Sequence, residues 1–311
     1  MKIHPEGIRI LHIGNIAGVP QNIRDGQRMF GYKSEVLSFG EDQFKYGVDI
    51  SFSSHGNISR KINILYNIIK IIFQYDILHF HASSLHRMGL DLLIWKVLGK
   101  KVIMHYHGSE IRNKKQPLIQ KYFADKCVVS TPDLLAFVPN SIWIPNPIDT
   151  KKYIFVEPNL QVNKLRILHA PSNKNIKGTE HVIQAIDKLK KDGYDIEFIL
   201  LEKVSHDKVL KEIELSDIIV DQLILGWYGV FSIETMCMGK PTLCYIRQDL
   251  SENYPELPIL NTTPKSIYVN LIELIENQEH RIELGAQGRR YVEKIHDSRE
   301  VTKRLIDIYT K

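Results

Sequence analysis

The 311-residue chain is too long for one ordinary hydrophobic core and suits two domains of about 150 residues each. Its content of 43% hydrophobic and 25% charged residues is that of an ordinary globular protein. The net charge of +5 lies in the first half, since residues 1–150 carry 18 Lys and Arg against 12 Asp and Glu, whereas residues 151–311 carry 23 against 24. No basic–aromatic pattern accompanies this excess, which disfavours nucleic acid. The excess could attract an anionic lipid or membrane surface, but a solvated surface is the better explanation for any single basic cluster.

Cysteine usage and the N-terminal sequence bear on location. Cys127, Cys237 and Cys244 are odd in number and lie in apolar contexts, which predicts buried thiols in a reduced compartment rather than a disulfide framework or a zinc site. The N-terminal residues lack the apolar region and cleavage site of a secretory signal, and the most apolar early segment, residues 62–73, is too short to span a bilayer. We therefore expect a cytoplasmic protein, with a peripheral contact at the inner membrane face as an option.

In the first half, short β-rich runs alternate with helical patterns, which predicts a parallel sheet covered on both faces. The strands are expected at Ile8–Ile13, Ser34–Ser38, Ile77–His81, Val102–His107, Cys127–Ser130 and Ile142–Ile144, with helices near 21–31, 59–73, 88–99, 116–124 and 132–138. Pro145, Pro147 and Pro158 then mark a linker where both patterns lapse.

After the linker the pattern restarts, because Arg166–His169 repeats the Arg-Ile-Leu-His run of Arg9–His12. The second half continues with helices over 180–192, 206–216 and 231–238, strands over 196–201, 218–222 and 242–246, and further helices from 265 onward. The charged tail 279–311 is long enough to pack back across the first domain. We therefore predict one domain over 1–150, a second over 151–288 and a C-terminal helix over 289–311 that returns to the first domain.

Glycines and histidines follow the first-half strands. Gly14 and Gly18 come after the first strand and would let a ligand approach the backbone. A G-x-G-x-x-G motif is absent, so an oxidoreductase, with Glu41 or Asp42 on a ribose, is only a distant alternative.

The histidines form two pairs at alternating positions, and each pair shares one face of a strand. They are His79 with His81 and His105 with His107. Zinc is disfavoured because no carboxylate or cysteine accompanies them, and His79 and His105 are more simply explained as core residues. His107 is different, since Gly108-Ser109-Glu110 follows at once, and we expect it to be exposed and functional.

A third candidate site is the stretch 172–179, between the first strand and first helix of the second half. Lys174 and Lys177 lie beside the start of a helix, where backbone N–H groups and cations together suit an anion. An exposed basic turn explains the lysines about equally well.

Several segments resemble motifs of the retaining GT-B glycosyltransferases of family 4. K-G-T-E-H-V-I-Q-A-I at 177–186 resembles the family's "KG" motif, and E-T-M-C-M-G-K-P at 234–241 resembles the end of its "E-x7-E" segment. Residues 75–81, 107–109 and 288–309 resemble its first-domain strand motifs and closing helices. Two positions depart from the family: its first glutamate falls on Gly226, with Asp221 or Gln222 as replacements, and its arginine falls on Ser172, with Lys174 as the replacement.

The resemblance implies an α/β protein of GT-B architecture, with two Rossmann-like, doubly wound parallel-sheet domains facing across a cleft. It implies that residues 1–150 form the acceptor domain and residues 151–288 the nucleotide-sugar domain. It implies that Glu234 binds the ribose of a nucleotide-sugar and that lysines meet the diphosphate, because no Asp-x-Asp motif is present to hold a metal. The predicted catalytic residues are His107, Lys177 and Glu234; the donor-binding residues are Gly14, Gly18, Ser172, Asn173, Lys174, Lys177, Tyr228, Gly229, Val230 and Glu234; the acceptor residues are His81 and Arg112.

The function expected from the resemblance is sugar transfer from a nucleotide-sugar to a glycan, lipid-linked or small-molecule acceptor, with retention and without a metal or cofactor. Arg112, Lys114 and Lys115 are the expected contacts with an anionic membrane. A GT-B epimerase or phosphorylase would share the fold, and the change at Gly226 allows a non-catalytic nucleotide-sugar binder. For Glu234 the alternative is a structural role that braces the loop Gly226–Gly229.

Overall fold

The structure is a computed structural model and describes residues 7–39, 47–52, 66–86, 88–158 and 164–310. The chain divides into two compact units, Met1–Asp149 with Asp297–Lys311 and Thr150–His296. Each unit has one parallel sheet and its own hydrophobic core. Glu41 and Asp42, the alternative ribose ligands, lie outside the described residues.

The first unit is built on seven parallel strands in the order β3-β2-β1-β4-β5-β6-β7. The strands are β1 (Arg9–Ile13), β2 (Lys33–Phe39), β3 (Ile50–Phe52), β4 (Ile77–His81), β5 (Lys101–Tyr106), β6 (Lys126–Val129) and β7 (Ile142–Trp143). The helices are α1 (Val19–Met29), α2 (described over 66–72), α3 (Leu90–Val97), α4 (Leu118–Phe123) and the terminal α12 (Ser298–Thr310). Every residue of β4 is buried, as expected for a central strand covered on both faces.

The second unit has five parallel strands in the order β12-β11-β10-β8-β9. The strands are β8 (Leu165–His169), β9 (Ile196–Leu200), β10 (Ile218–Val220), β11 (Thr242–Cys244) and β12 (Leu260–Asn261). The helices are α5 (Lys174–Lys177), α6 (Thr179–Lys191), α7 (His206–Leu215), α8 (Val230–Cys237), α9 (Gln248–Asn253), α10 (Ile267–Glu276) and α11 (Gln278–Ile295). The two Rossmann-like sheets confirm the predicted α/β fold class.

Most predicted elements are present within a few residues of the expected bounds. The sequence missed β3, β12, α5 and α9, which have two to six residues and show too little periodicity to be recognised. The helical stretch expected near 132–138 is present as a 3-10 helix, Pro132–Ala136. Short helices of this kind commonly serve as connectors.

The terminal helix α12 packs on α1 within the first unit. Gly26 allows the two backbones to approach closely, because a Cβ there would lie 2.2 Å from Thr302 Oγ1 and 2.9 Å from the carbonyl oxygen of Ser298. The backbone N–H of Ser298 donates to the carbonyl of Ile148 at 2.9 Å. The last helix of the chain is therefore part of the first unit.

The three cysteines are free thiols, with Cys237 and Cys244 buried and Cys127 half-buried. Among the described residues, no helix is both long enough and apolar enough to cross a membrane.

Candidate functional site

The lysine motif lies in the loop that follows β8, at the carboxyl edge of the second sheet. Lys174–Lys177 form the one-turn helix α5, where the sequence had indicated a turn, and Gly178 links it to α6 with a left-handed φ of 72°. The side chain of Asn173 caps α5, since its Oδ1 accepts from the amides of Asn175 and Ile176 at 3.1 and 3.2 Å. The side chain of this predicted donor ligand therefore already has a local structural role, and Ser172 is exposed beside it.

Lys177 points to the sheet and pairs with Asp221, which follows β10. The side chain of Asp221 is 1% exposed and that of Lys177 is 14% exposed. The other carboxylate oxygen of Asp221 accepts from Ser232 Oγ at 2.6 Å. An ammonium group has three donors, and Asp221 is its side-chain partner among the described residues, so two N–H groups remain for an anion. Asp221 is therefore the ionic partner of Lys177, a role different from the sugar contact expected of a glutamate at position 226.

The second lysine of the motif is less well placed for an anion. Lys174 pairs with Glu202 at 2.7 Å, and its side chain is 55% exposed. Exposed pairs of this kind are weak, so Lys174 can exchange its partner. Solvent also screens the charge of Lys174 more than that of Lys177.

The loop that contains Gly226 is held by Gln222, which is 1% exposed. Its Oε1 accepts from the amides of Ile224 and Leu225 at 2.8 and 2.6 Å, and its Nε2 donates to the carbonyl of Tyr245 at 2.7 Å. Gly226 itself has a φ of 86°. A side chain is disfavoured at that φ, so the loop conformation explains the glycine at the position where the resemblance had indicated a glutamate.

Tyr228, Gly229 and Val230 lead from this loop into α8. The Tyr228 hydroxyl, whose pKa is raised by burial, contacts His296 Nε2 at 2.9 Å and Tyr291 at 3.2 Å, which fixes the loop to α11. Gly229 is the N-cap of α8. Among the residues that the structure describes, no side chain caps this helix and no atom lies within 4 Å of the position that a Cβ of Gly229 would occupy. The first turn of α8 therefore presents uncapped N–H groups beside open space, which suits an anion.

Glu234 lies in α8 and is 5% exposed. Its Oε1 accepts from His206 Nε2 at 2.7 Å and from the Tyr153 hydroxyl at 3.1 Å, and the hydrogen bond to Glu234 raises the pKa of His206. Within the described part of the chain, neither contact uses Oε2. Among these residues the side-chain hydrogen bonds of Glu234 go to His206 and Tyr153 and not to the 226–229 loop. Sequence reasoning missed His206 because it lies 28 positions away, at the start of α7.

At the carboxyl edge of the first sheet, five histidines share one face. In the strand register His12 lies beside His79 and His81 lies beside His105, and His107 follows the end of β5. Burial lowers the pKa of all five, to about 4 for His12 and about 3 for His107. These histidines are therefore neutral at pH 7. The sequence pairs indicated part of this cluster but not the role of His12.

The sequence predicted an exposed His107, but the residue is half-buried. Its Nε2 contacts His81 Nδ1 at 2.9 Å and its Nδ1 contacts Ser130 Oγ at 2.7 Å. A sugar contact by either nitrogen would therefore require one of these bonds to open. Gly14 has a φ of 109°, and a Cβ there would lie 3.0 Å from the carbonyl oxygen of His81. Gly18 is the left-handed N-cap of α1, with a φ of 72°.

The basic residues after β5 differ in their partners and their exposure. The guanidinium of Arg112 pairs with the buried Asp133 at 2.8 Å, so this predicted acceptor residue already has an ionic partner. Lys114 and Lys115 are exposed and line a groove of about 620 Å³, together with Met88 and other residues of the 106–120 region. The lysines, and not Arg112, are the accessible cations here.

Comparison with solved structures places this fold. HepE from Anabaena, in complex with UDP and glucose, superposes with a TM-score of 0.72 at 11% identity, covering 98% of this chain and 100% of that one. The chain has the fold of the GT-B glycosyltransferases. Sucrose-phosphate synthase from Thermosynechococcus elongatus gives 0.68 at 14% identity, covering 97% and 98%.

The catalytic domain of starch synthase IV from Arabidopsis thaliana, bound to ADP and acarbose, gives a TM-score of 0.72 at 12% identity, covering 98% of this chain and 99% of that one. No protein-family profile and no curated protein sequence matches the chain. At these identities the likeness establishes the fold alone.

Proposed function

We propose that the chain is a glycosyltransferase that takes its sugar from a nucleotide-sugar donor. The observation that carries the proposal is the uncapped first turn of α8, with open space at Gly229, at the same sheet edge as the half-buried Lys177. Helix N–H groups and an ammonium group are the donors that a diphosphate requires. The solved structures of similar fold include complexes with UDP and ADP, which supports this assignment.

In this proposal Lys177 and the α8 N-terminus stabilise the charge that develops on the departing nucleoside diphosphate. Lys174 adds a second, exposed cation once it leaves Glu202. The reaction proceeds with retention of configuration and needs no resident metal or cofactor, since these groups supply the positive charge. The transferred sugar is a hexose.

Glu234 is proposed to bind the ribose. Its Oε1 is held by His206 and Tyr153, which leaves Oε2 as an acceptor for the ribose hydroxyls. His206 orients the carboxylate through this hydrogen bond. A carboxylate with one occupied oxygen and one available oxygen suits a ligand with neighbouring hydroxyl donors.

A thermal-shift screen of nucleotide-sugars tests the proposal. A donor that binds the folded state raises the melting temperature with the logarithm of its concentration over its dissociation constant. We expect at least one nucleotide-sugar and its nucleoside diphosphate to stabilise the chain, and turnover to require an added acceptor. No stabilisation by any nucleotide-sugar or diphosphate would overturn the proposal.

Activity assays with the donors that the screen identifies separate the alternatives. Nucleotide release or sugar isomerisation without an acceptor would favour an epimerase, phosphate-dependent turnover would favour a phosphorylase, and tight binding without turnover across acceptors would favour a non-catalytic binder. Each outcome retains the diphosphate site and changes only the reaction.

We also propose that the first unit contacts an anionic membrane through α3 and α4. Five large apolar side chains on these helices are between 49% and 88% exposed. They recur at helical spacing and are Leu90, Ile94 and Val97 on α3 and Leu118 and Tyr122 on α4. Residues 111–124 include four basic residues and no acidic one. An apolar stripe beside basic residues is the pattern of a helix surface that lies in a lipid interface.

Vesicle sedimentation tests this contact. Replacing Lys114, Lys115 and Lys121 by Ser should reduce binding to phosphatidylglycerol vesicles at low salt, because each basic residue contributes about 1 kcal/mol near an anionic surface. Changing Ile94 and Val97 to Ser should reduce it independently of salt, whereas Val269→Ser, at a 62% exposed position of the second unit, is the control. Equal sedimentation of parent and variants would exclude this surface.

A further inference from the structure

Eight side chains of the first unit form a closed ring of hydrogen bonds at the carboxyl edge of its sheet. Each contacts the next, with donor–acceptor distances between 2.5 and 3.2 Å. All are buried except His107, which is half-buried. In order around the ring, the members are Gln27, His12, His81, His107, Ser130, His105, His79 and Tyr309.

The amide of Gln27 fixes the direction of the ring. Its oxygen accepts from Ser34 Oγ at 2.6 Å and contacts His12 Nε2 at 2.9 Å, and its nitrogen donates to the Tyr309 hydroxyl at 3.1 Å. Because an amide oxygen only accepts, the His12 proton lies on Nε2. The Tyr309 hydroxyl accepts from Gln27, so its own proton goes to His79 Nδ1 at 2.5 Å.

The remaining protons follow from the chemistry of neutral imidazole, which has one donor and one acceptor nitrogen. His79 accepts at Nδ1 and therefore donates from Nε2, and the same step repeats through His105, the Ser130 hydroxyl, His107 and His81 until His12 is reached. Both directions of travel from Gln27 give the same assignment. Every ring nitrogen of the five histidines has a partner, and every bond contains one proton.

We propose that these eight side chains act as one uncharged positioning unit, in which Gln27, Ser130 and Tyr309 hold His81 and His107 as Nε2–H tautomers at the sheet edge. The unit connects β1, β4, β5 and the end of β6, and Tyr309 fastens α12 to them. The proposal does not depend on which ligand binds the protein. Its chemical consequence is that His107 orients a ligand by shape and backbone position and is not a general base.

The ring also accounts for the metal-like clustering of the histidines. One nitrogen from each of His12, His79 and His81, and again from each of His81, His105 and His107, lies within 4.8 Å of the others. In the ring each of these atoms already donates or accepts one hydrogen bond, so a metal would have to break several bonds to bind. Arg24 and Asp49, whose charges act on His12, pair with each other at 2.8 Å. Two further charged side chains contact the backbone of ring members: Glu110 accepts from the amide of His107, and Lys101 donates to the carbonyl of Tyr309 at 2.6 Å.

Nitrogen-15 NMR of histidine-labelled protein tests the proposal, because the two tautomers and the imidazolium differ in their ring-nitrogen shifts. At pH 7 we expect all five histidines to be neutral with the proton on Nε2, and one equivalent of Zn²⁺ or Ni²⁺ to leave their signals unchanged. An Nδ1–H tautomer or an imidazolium at any of the five would overturn the proposal. So would stoichiometric metal binding that is lost in His81→Gln.

Two variants sharpen this test. Gln27→Met removes the group that sets the direction, so the five histidines should become mixtures of both tautomers. Tyr309→Phe should keep the tautomers, because His12 is still fixed by Gln27, but should leave His79 Nδ1 without its donor and let His79 accept a proton at higher pH. Ser34→Ala, which removes a bond to Gln27 outside the ring, is the matched control and should resemble the parent. Unchanged spectra in both ring variants would contradict the proposal.

Discussion

The carboxyl edges of the two sheets hold their polar side chains in opposite ways. The first edge is a neutral, closed ring in which burial lowers the pKa of His107 to about 3. The second edge has ionic pairs with unused hydrogen-bonding groups, Lys177 with Asp221 and His206 with Glu234. A closed neutral network fixes geometry and leaves little for a ligand to bind, whereas an open charged one can exchange a partner for a phosphate or a hydroxyl.

The largest expected difference between the two edges is their response to acid. Because the pKa of each ring histidine is lowered in the folded state, the unfolded chain binds more protons below pH 6.5. Stability is therefore full above pH 6.5 and is lost as the pH falls toward the lowered values, by about 1.4 kcal/mol per pH unit for each histidine.

Hydrogen exchange at pH 7 and pH 5, corrected for intrinsic rates, measures this response. Amides of β4 and β5 should lose protection strongly at pH 5. Amides of β8 and β10 should lose less, because burial lowers the pKa of His169 in β8, whereas it lowers the pKa of five histidines in the first sheet. Equal changes in the two sheets would mean that the histidines are not held neutral by the fold.

Glu234→Gln tests whether the open edge binds ribose. The variant keeps the shape of the side chain and an acceptor for His206, but it removes the charge that strengthens bonds from ribose hydroxyls. Losing such a bond costs about 1.5–3 kcal/mol, so the affinity for the nucleoside diphosphate should fall roughly 10- to 150-fold in titration calorimetry.

The 2′-deoxy nucleotide is the control for this substitution. It should bind the parent more weakly than the ribonucleotide and lose little further affinity in Glu234→Gln. If parent and variant discriminate the two sugars equally, Glu234 does not contact the ribose.

His206→Gln should remove a smaller pH dependence of opposite sign. The hydrogen bond that His206 donates to Glu234 raises the folded-state pKa of His206, so its contribution to stability is full below pH 6.5 and is lost as the pH rises through the raised value. The pair is partly exposed, and we expect a loss of no more than about 1 kcal/mol. Protection of α7 and α8 amides should fall between pH 6.5 and 8 in the parent and stay level in the variant; a fall in both would assign the slope to another group.

The sequence predicted the two α/β halves because buried parallel strands and amphipathic helices have strong periodic patterns. It also located Lys177, Gly229 and Glu234, whose motifs are local in the chain. It could not provide their partners, because Asp221 and His206 reach these side chains only through the fold. The hydrogen-bonded ring could not be predicted from the sequence for the same reason, since its members Gln27 and Tyr309 are 282 positions apart.

Whether Lys177 binds the diphosphate is measured most directly by a double-mutant cycle with Asp221. UDP or ADP, whichever stabilises the parent, is titrated into the parent, Lys177→Met, Asp221→Asn and the double variant, and stability to urea is measured alongside. Removing the lysine alone leaves a buried carboxylate unpaired, which costs stability whatever Lys177 binds, and the double variant should recover much of that loss.

We predict that Lys177→Met weakens the nucleotide roughly 10- to 150-fold, that Asp221→Asn does not weaken it, and that the double variant stays weak although its stability recovers. If the double variant instead binds the nucleotide as tightly as the parent, Lys177 serves only to neutralise Asp221, and the second edge is not the diphosphate site.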